Sequence, residues 1–357
     1  MKEILFKDFI KLQRGFDLPK YAIQAGPFPV VGSTSILGYH NKYKKEPPGV
    51  ITGRSGSLGF VQYIAKKYWP HNTALWVMDY KDNDPKYVYY YLVNFKLERF
   101  NSGVGVPTLN RNHLDNYEIK VHELKDQQKI ASILSPYDDL IDNNTRRIKI
   151  LEEMAQAIYK EWFVNFRFPG YEKVKFVDSP VGKIPNGWEI LKVKTLVKRL
   201  KAENVYTQNK VEEEGKVIVI DQSTREYLGF HNNEADHKAN TDNPIIIFGD
   251  HTCKMQIMVE PFSVGPNVIP FTTNGKTLNQ FLYYLINELV ETKEYKRHWN
   301  ELMVKKVVLP KIDIQKEFSI IITSNLELID NLKIKNQNLR KTRDLLLPKL
   351  MSGEVEV

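Results

Sequence analysis

Residues 126–163 read DQQKIASILSPYDDLIDNNTRRIKILEEMAQAIYKEWF, and this stretch limits what the chain can become. Apolar residues recur at alternating steps of four and three: Ile130, Leu134, Tyr137, Ile141, Ile148, Leu151, Ala155, Ile158 and Trp162. The rhythm predicts one long helix with a coiled-coil seam, on which Asn144 is the polar member. A single helix cannot bury such a seam, so it needs a partner. Residues 314–350 have the same rhythm, through Phe318, Ile322, Asn325, Ile329, Leu332, Leu339, Leu346 and Leu350. Both segments open on a Gln-Lys pair, Gln128-Lys129 and Gln315-Lys316, and both carry the string LIDN, at 140–143 and 328–331. The chain is therefore an internal repeat.

The segments between the helices repeat as well. In the first half, short strands are expected at 27–32, 50–53, 75–78 and 117–121, each bounded by turn residues. Residues 87–95, YVYYYLVNF, fit either a helix or a strand, because period alone does not separate the two in a short apolar run. In the second half, 216–220 and 245–249 are strands, and the latter can be laid on 50–53. Residues 283–287, YYLIN, match 90–94, YYLVN, and 298–302 stand where 110–114 stood. Residues 166–188 hold Pro169, Gly170, Pro180, Gly182, Pro185 and Gly187, which marks a connector.

The expected plan is a first globular domain at 1–124, a spacer helix at 125–165, a connector at 166–189, a second globular domain at 190–312, a second helix at 313–351 and a tail at 352–357. The fold class is α+β. Two similar α/β domains are separated by two long helices that form an antiparallel coiled coil, with a pseudo-twofold repeat.

Of 357 residues, one is cysteine, Cys253, which excludes an internal disulfide framework and fits a reducing cytoplasm. The first residues carry scattered charge unlike a signal peptide, and no run reaches the length of a membrane span. The net charge of +8 suits a nucleic-acid partner without requiring one.

Catalytic signatures are weak. Residues 54–59, RSGSLG, lack the lysine of a phosphate loop and read as a tight turn. Residues 243–246, NPII, only half resemble the motif of an adenine methyltransferase. Glu123 with Lys125, and Glu294 with Lys296, fit half of a nuclease site, and no Pro-Asp pair accompanies either. His231 and His237 share a polar loop that reads as solvated.

Binding is better supported. Arg54, Ser55 and Ser57 would set an arginine, two hydroxyls and backbone N–H groups at one tip, suited to phosphate contact or guanine readout. Ser102, Thr108, Asn110 and Arg111, with Asn112, form a second polar cluster. The second half offers Gln222, Ser223, Thr224 and Arg225, then Asp250, His251, Thr252 and Lys254. Lys198, Arg199 and Lys201 add charge, and the tyrosines at 87–91 read as core in preference to base-stacking platforms. A helix of 36 residues spans about 54 Å, long enough to hold two reading domains apart, and half-sites one turn apart on DNA are separated by about 34 Å. Asn144, Asn325 and Asn336 would help to fix the register.

Several strings together resemble the specificity subunit of type I restriction-modification systems. They are KIPNGWEI (183–190), LLLPKLMSGEV (345–355), SGVGVPTLNRNHL (102–114), DQQKIASIL (126–134), LIDNN (140–144) and AIYKEWFVNF (157–166). The resemblance spans essentially the whole chain. It implies two target-recognition domains, each reading half of a bipartite double-stranded DNA sequence. It implies two modification subunits docked on the helices, which methylate adenine with S-adenosylmethionine, and restriction subunits that cut using ATP, with Mg also on the partners. It implies no cofactor on this chain and no chemistry of its own. One departure is that the second half lacks a close copy of SGVGVP. The alternative is a stand-alone DNA-acting enzyme such as a nuclease.

Overall fold

The computed structural model describes every residue except Ser57, 104–106, Thr224, Lys293 and Tyr295. The chain divides into two compact units, one of Met1–Asn143 with Asn336–Val357 and the other of Asn144–Lys335. Both boundaries fall inside the long helices, so each unit takes half of each helix.

In the first unit, β1 (Lys2–Leu5) pairs antiparallel with β9 (Glu118–Val121), and the short α1 (Phe6–Phe9) follows β1. One sheet has the order β2 (Lys11–Arg14), β8 (Ala74–Asp79), β5 (Gly49–Gly53), β6 (Val61–Ile64). Strand β5 is buried along its whole length, because the cores meet on both of its faces. The other sheet has β3 (Phe28–Val31) between β4 (Ile36–His40) and β7 (Trp69–Pro70), with β3 and β7 parallel. The ambiguous tyrosine run is a helix, α2 (Pro85–Phe95). Asp84 accepts from the Tyr87 N–H at 2.9 Å, and Pro85 opens the first turn. Its tyrosines pack into the core: Tyr87, Tyr90 and Tyr91 are buried.

The second unit repeats this topology. Strand β12 (Glu189–Lys192) pairs with β21 (Lys306–Leu309) as β1 pairs with β9. The first sheet runs β13 (Val197–Arg199), β20 (Val268–Thr273), β17 (Ile245–Gly249), β18 (Met255–Met258). The second runs β15 (Gly229–His231), β14 (Val217–Ile220), β19 (Pro261–Val264), β16 (His237–Lys238), again with one parallel pair, β14 and β19. Helix α4 (Asn279–Ile286) takes the place of α2, and α5 (Trp299–Val304) precedes β21. The segment read as a plain connector holds a hairpin, β10 (Phe176–Ser179) with β11 (Gly182–Pro185), and Gly182 supplies a φ of +103° at its turn.

The long helices are α3 (Leu124–Tyr159), continued by one π-helical turn at Lys160–Val164, and α6 (Ile312–Ser352). Within each unit their halves pack antiparallel. In the first unit, Ile130 and Leu134 share a core with Leu347, Leu350 and Met351, and Asn336 Nδ2 lies 3.5 Å from Ile141 O. In the second, Ala155 and Phe163 share a core with Phe318, Ile322 and Leu326.

Of the expected seam, Ile130, Leu134, Ile141, Phe318, Ile322 and Leu332 are buried. Ile148, Leu151, Ile158, Ile329, Leu339 and Leu346 are half-buried. Asn144 and Asn336 are buried, and Asn325 is half-buried.

Matching by letters is one residue off the packing in two places. The buried glutamines at the helix starts are Gln127 and Gln315, each with Nε2 on a carbonyl five residues back, His122 O and Pro310 O, both at 2.8 Å. Gln127, not Gln128, is therefore the counterpart of Gln315. Likewise Gln127 bonds Asn83 and Gln315 bonds Thr277, which makes Tyr284, not Tyr283, the counterpart of Tyr90. Tyr90 and Tyr284 are both buried, whereas Tyr89 and Tyr283 are only half-buried.

Candidate nucleic-acid interface

Loops that leave the strands at one end come together in each unit. In the first, the turn after β3 brings Ser33 against two neighbours. Its hydroxyl donates to Ser55 O at 3.0 Å and Thr73 O at 2.8 Å. Arg54 and Ser55 follow β5, and both backbone N–H groups donate to Thr73 O in the loop after β7. The half-buried Arg54 guanidinium donates to Asn72 O at 3.4 Å. A fourth segment joins through an isolated bridge between Ser55 and Thr108. There the exposed Ser102 hydroxyl donates to Thr108 O at 3.0 Å, and Asn101 Oδ1 accepts from the Thr108 N–H at 3.0 Å. Asn110 caps the adjoining turn by accepting from Asn112 N–H at 3.1 Å, and Arg111 is tied to Leu12 O at 3.3 Å. Arg54, Ser55, Ser102 and Thr108 thus form one cluster. Asn110 lies beside it, while Arg111 is drawn toward β2. Ser57 lies outside the described residues.

The second unit builds its cluster from the equivalent loops. Gln222 follows β14, as Ser33 follows β3. Its side-chain oxygen accepts from His251 N–H at 3.0 Å, and its carbonyl accepts from the Thr252 hydroxyl at 2.7 Å. The Ser223 hydroxyl donates to Asp221 at 2.8 Å, and its oxygen accepts from the backbone N–H of the exposed Arg225 at 3.2 Å. The Asp250 N–H donates to Asn267 O in the loop after β19 at 2.9 Å. Lys254 is a loop pin: its ammonium donates to Asp221 O at 3.2 Å and Arg225 O at 2.6 Å, and burial lowers its pKa. Thr224 lies outside the described residues.

Several sequence expectations change here. His231 and His237 are buried, not solvated. His231 stacks on Tyr206 with centroids 4.2 Å apart and bonds the Ser263 hydroxyl, while His237 packs on Phe262. Burial holds both imidazoles below the ordinary histidine range. Asn243 is tied into a turn by Asn240 Oδ1, ahead of β17. Glu294 and Lys296 face each other at 3.9 Å. Among the described residues, no group of three or more His, Cys, Asp or Glu could hold a metal, and no helix is long and apolar enough to cross a membrane. Sequence reading missed Ser33, Asn72, Thr73 and Asn267, whose roles depend on loops far apart in the chain.

The family model described as the type I restriction modification DNA specificity domain matches residues 2–153. The MjaIX specificity subunit of a type I restriction enzyme from Methanocaldococcus jannaschii is 28% identical over 345 residues, covering 87% of this chain and 78% of that protein. The MjaVIII specificity subunit from the same organism is 23% identical over 288 residues, 71% of this chain and 66% of that one. The crystal structure of a type I restriction-modification S subunit from M. genitalium superposes with a TM-score of 0.61 at 17% identity, over 98% of this chain and 95% of that one. Residues 2–153 are thus similar to a DNA specificity domain, and the fold is shared with the M. genitalium subunit along nearly the whole length. Over most of its length the chain is thus similar to type I restriction enzyme specificity subunits.

Proposed function

We propose that this chain reads a bipartite double-stranded DNA target, one half with each unit, and performs no chemistry itself. The observation that carries the reading is the loop cluster built twice by one topology and lined by different side chains. A constant frame with variable tips gives two readers of different sequence. The target-recognition domains are 1–124 and 190–312, and the helices between them set the spacing of the half-sites.

Two modification subunits dock on the helices and methylate adenine, and restriction subunits complete a cutting complex in the cytoplasm. S-adenosylmethionine, ATP and Mg belong to those partners. The repeat supports paired docking. Leu140 and Leu328 occupy the same position in the two LIDN strings, and they are 52% and 48% exposed on helices whose other faces are packed. Two like subunits need two like surfaces.

Arg54→Ala tests the two-reader claim. Losing a bidentate contact to a base should cost about 1–3 kcal/mol at one half-site and leave the other half-site's preference intact. Binding measured on duplexes mutated in each half would show this. A change in both preferences would overturn the claim.

A further inference from the structure

The two units differ in the charge carried by their parallel-paired sheets. In the first unit, residues 16–48 and 65–71 form the β4–β3–β7 sheet with its flanking loops, and they hold six lysines against two acids. The corresponding residues in the second unit, 203–240 and 258–266, hold four basic residues against nine acids.

Four of the six lysines lie over aromatic rings. Lys44 Nζ is 4.8 Å from the Trp69 centroid, Lys45 is 4.2 Å from Trp76, Lys66 is 5.2 Å from Tyr39 and Lys67 is 4.5 Å from Tyr43. A ring face fixes an ammonium without neutralising it. Lys42 is exposed beside them, and Glu46 opposes the group from 3.0 Å off Lys67.

The strand order places this patch. Ser33, at the end of β3, holds the reading loops together. The patch sits at the other end: Tyr43 packs on Phe28 at 5.0 Å, and Lys45 bridges Tyr68, one residue before β7. Strand β3 is four residues long, so its ends are about 13 Å apart. The major groove of B-DNA is about 12 Å wide.

We propose that Lys42, Lys44, Lys45, Lys66 and Lys67 grip the sugar-phosphate backbone of duplex DNA beside the half-site read by the first unit, and that the second unit has no such grip. The inference rests on the DNA reading above. It makes the first unit the electrostatic anchor of the pair. A backbone grip adds affinity and salt dependence without base preference.

The test uses the full chain assembled with its modification subunits and a fluorescent duplex of mixed sequence several helical turns long. Affinity is followed against KCl concentration. The variant K42A/K66A/K67A removes lysines that do not rest on buried tryptophans. The slope of log affinity against log salt should shrink by about 0.9 for each lysine that meets a phosphate, with base preference unchanged. Arginine at the same three positions should keep the slope. The matched variant K210A/K216A/K238A in the second unit should leave it unaltered. An unchanged slope in K42A/K66A/K67A, with the wild-type complex still binding DNA, overturns the grip alone. A changed base preference would make these lysines readers and also overturns it. A wild-type complex that binds no duplex DNA removes the functional reading, and the grip with it.

Discussion

The two units fill one position of the repeat with opposite chemistry. In the first, Asp138 on α3 pairs with Arg343 on α6 and accepts from the Tyr90 hydroxyl at 2.6 Å. In the second, the counterparts are Leu326, Ala155 and Tyr284. Leu326 and Ala155 are buried, and Tyr284 packs edge-on against Phe318 at 5.5 Å. Burial, and then the bond to Asp138, drives the Tyr90 phenol far above the ordinary tyrosine range. The fold therefore asks of this position only that volume be filled and polar atoms be partnered. A charged set that satisfies itself and an apolar set do equally well, and the charged one is the more fragile when broken.

Breaking the apolar version should have the largest effect. Leu326→Asp sets a carboxylate opposite Ala155 with no cation supplied, at about 3–5 kcal/mol by analogy with an unpaired buried charge. Urea unfolding of the full chain measures it, and a loss under about 1 kcal/mol would mean that the site is wet.

Asp138→Ala should cost about 1–3 kcal/mol, since it leaves the Tyr90 hydroxyl without its acceptor and takes Asp138 from Arg343, which keeps Asp344 at 2.8 Å. Asp138→Leu with Arg343→Ala copies the second unit and should return to within about 1 kcal/mol of wild type. A double variant as unstable as the single one would break the comparison.

A smaller effect sharpens it by pH. Each unit holds buried neutral histidines: His122 beside the Tyr87 hydroxyl at 3.0 Å in the first, His231 and His237 in the second. Burial lowers the pKa of all three. Between the folded and unfolded pKa values the unfolded chain binds more protons, so this contribution is full above the unfolded value of about 6.5 and is lost as pH falls below it. Urea midpoints should fall between pH 7 and pH 5. His122→Gln should flatten that dependence for the first unit only, and an unaltered profile would mean that the pKa of this imidazole does not change on folding.

Much of the architecture was legible because it rests on period. The seam spacing marked both helices to within a few residues, and the LIDN strings set the correct offset between them. Letters misled where burial decides. Gln128-Lys129 matches Gln315-Lys316 in spelling, but the anchoring glutamine is Gln127, which reaches the carbonyl five residues back. Tyrosine runs slide freely on one another until a buried face selects the register. The loop clusters were half legible. Arg54, Gln222 and Thr252 stood out as polar residues beside strands, but Ser33 and Asn267 enter through pairings across the sheet that no local pattern carries. Lys254 stood among the polar binding candidates, and only the fold shows that it ties two carbonyls.

The central claim is that two unlike readers share one frame. Adenine-methylation mapping in cells carrying this chain with its modification subunits tests it most directly. The account predicts a bipartite motif of two different short sequences with a fixed unread gap. A single uninterrupted motif, or none from a complex that assembles stably and binds DNA, would contradict it.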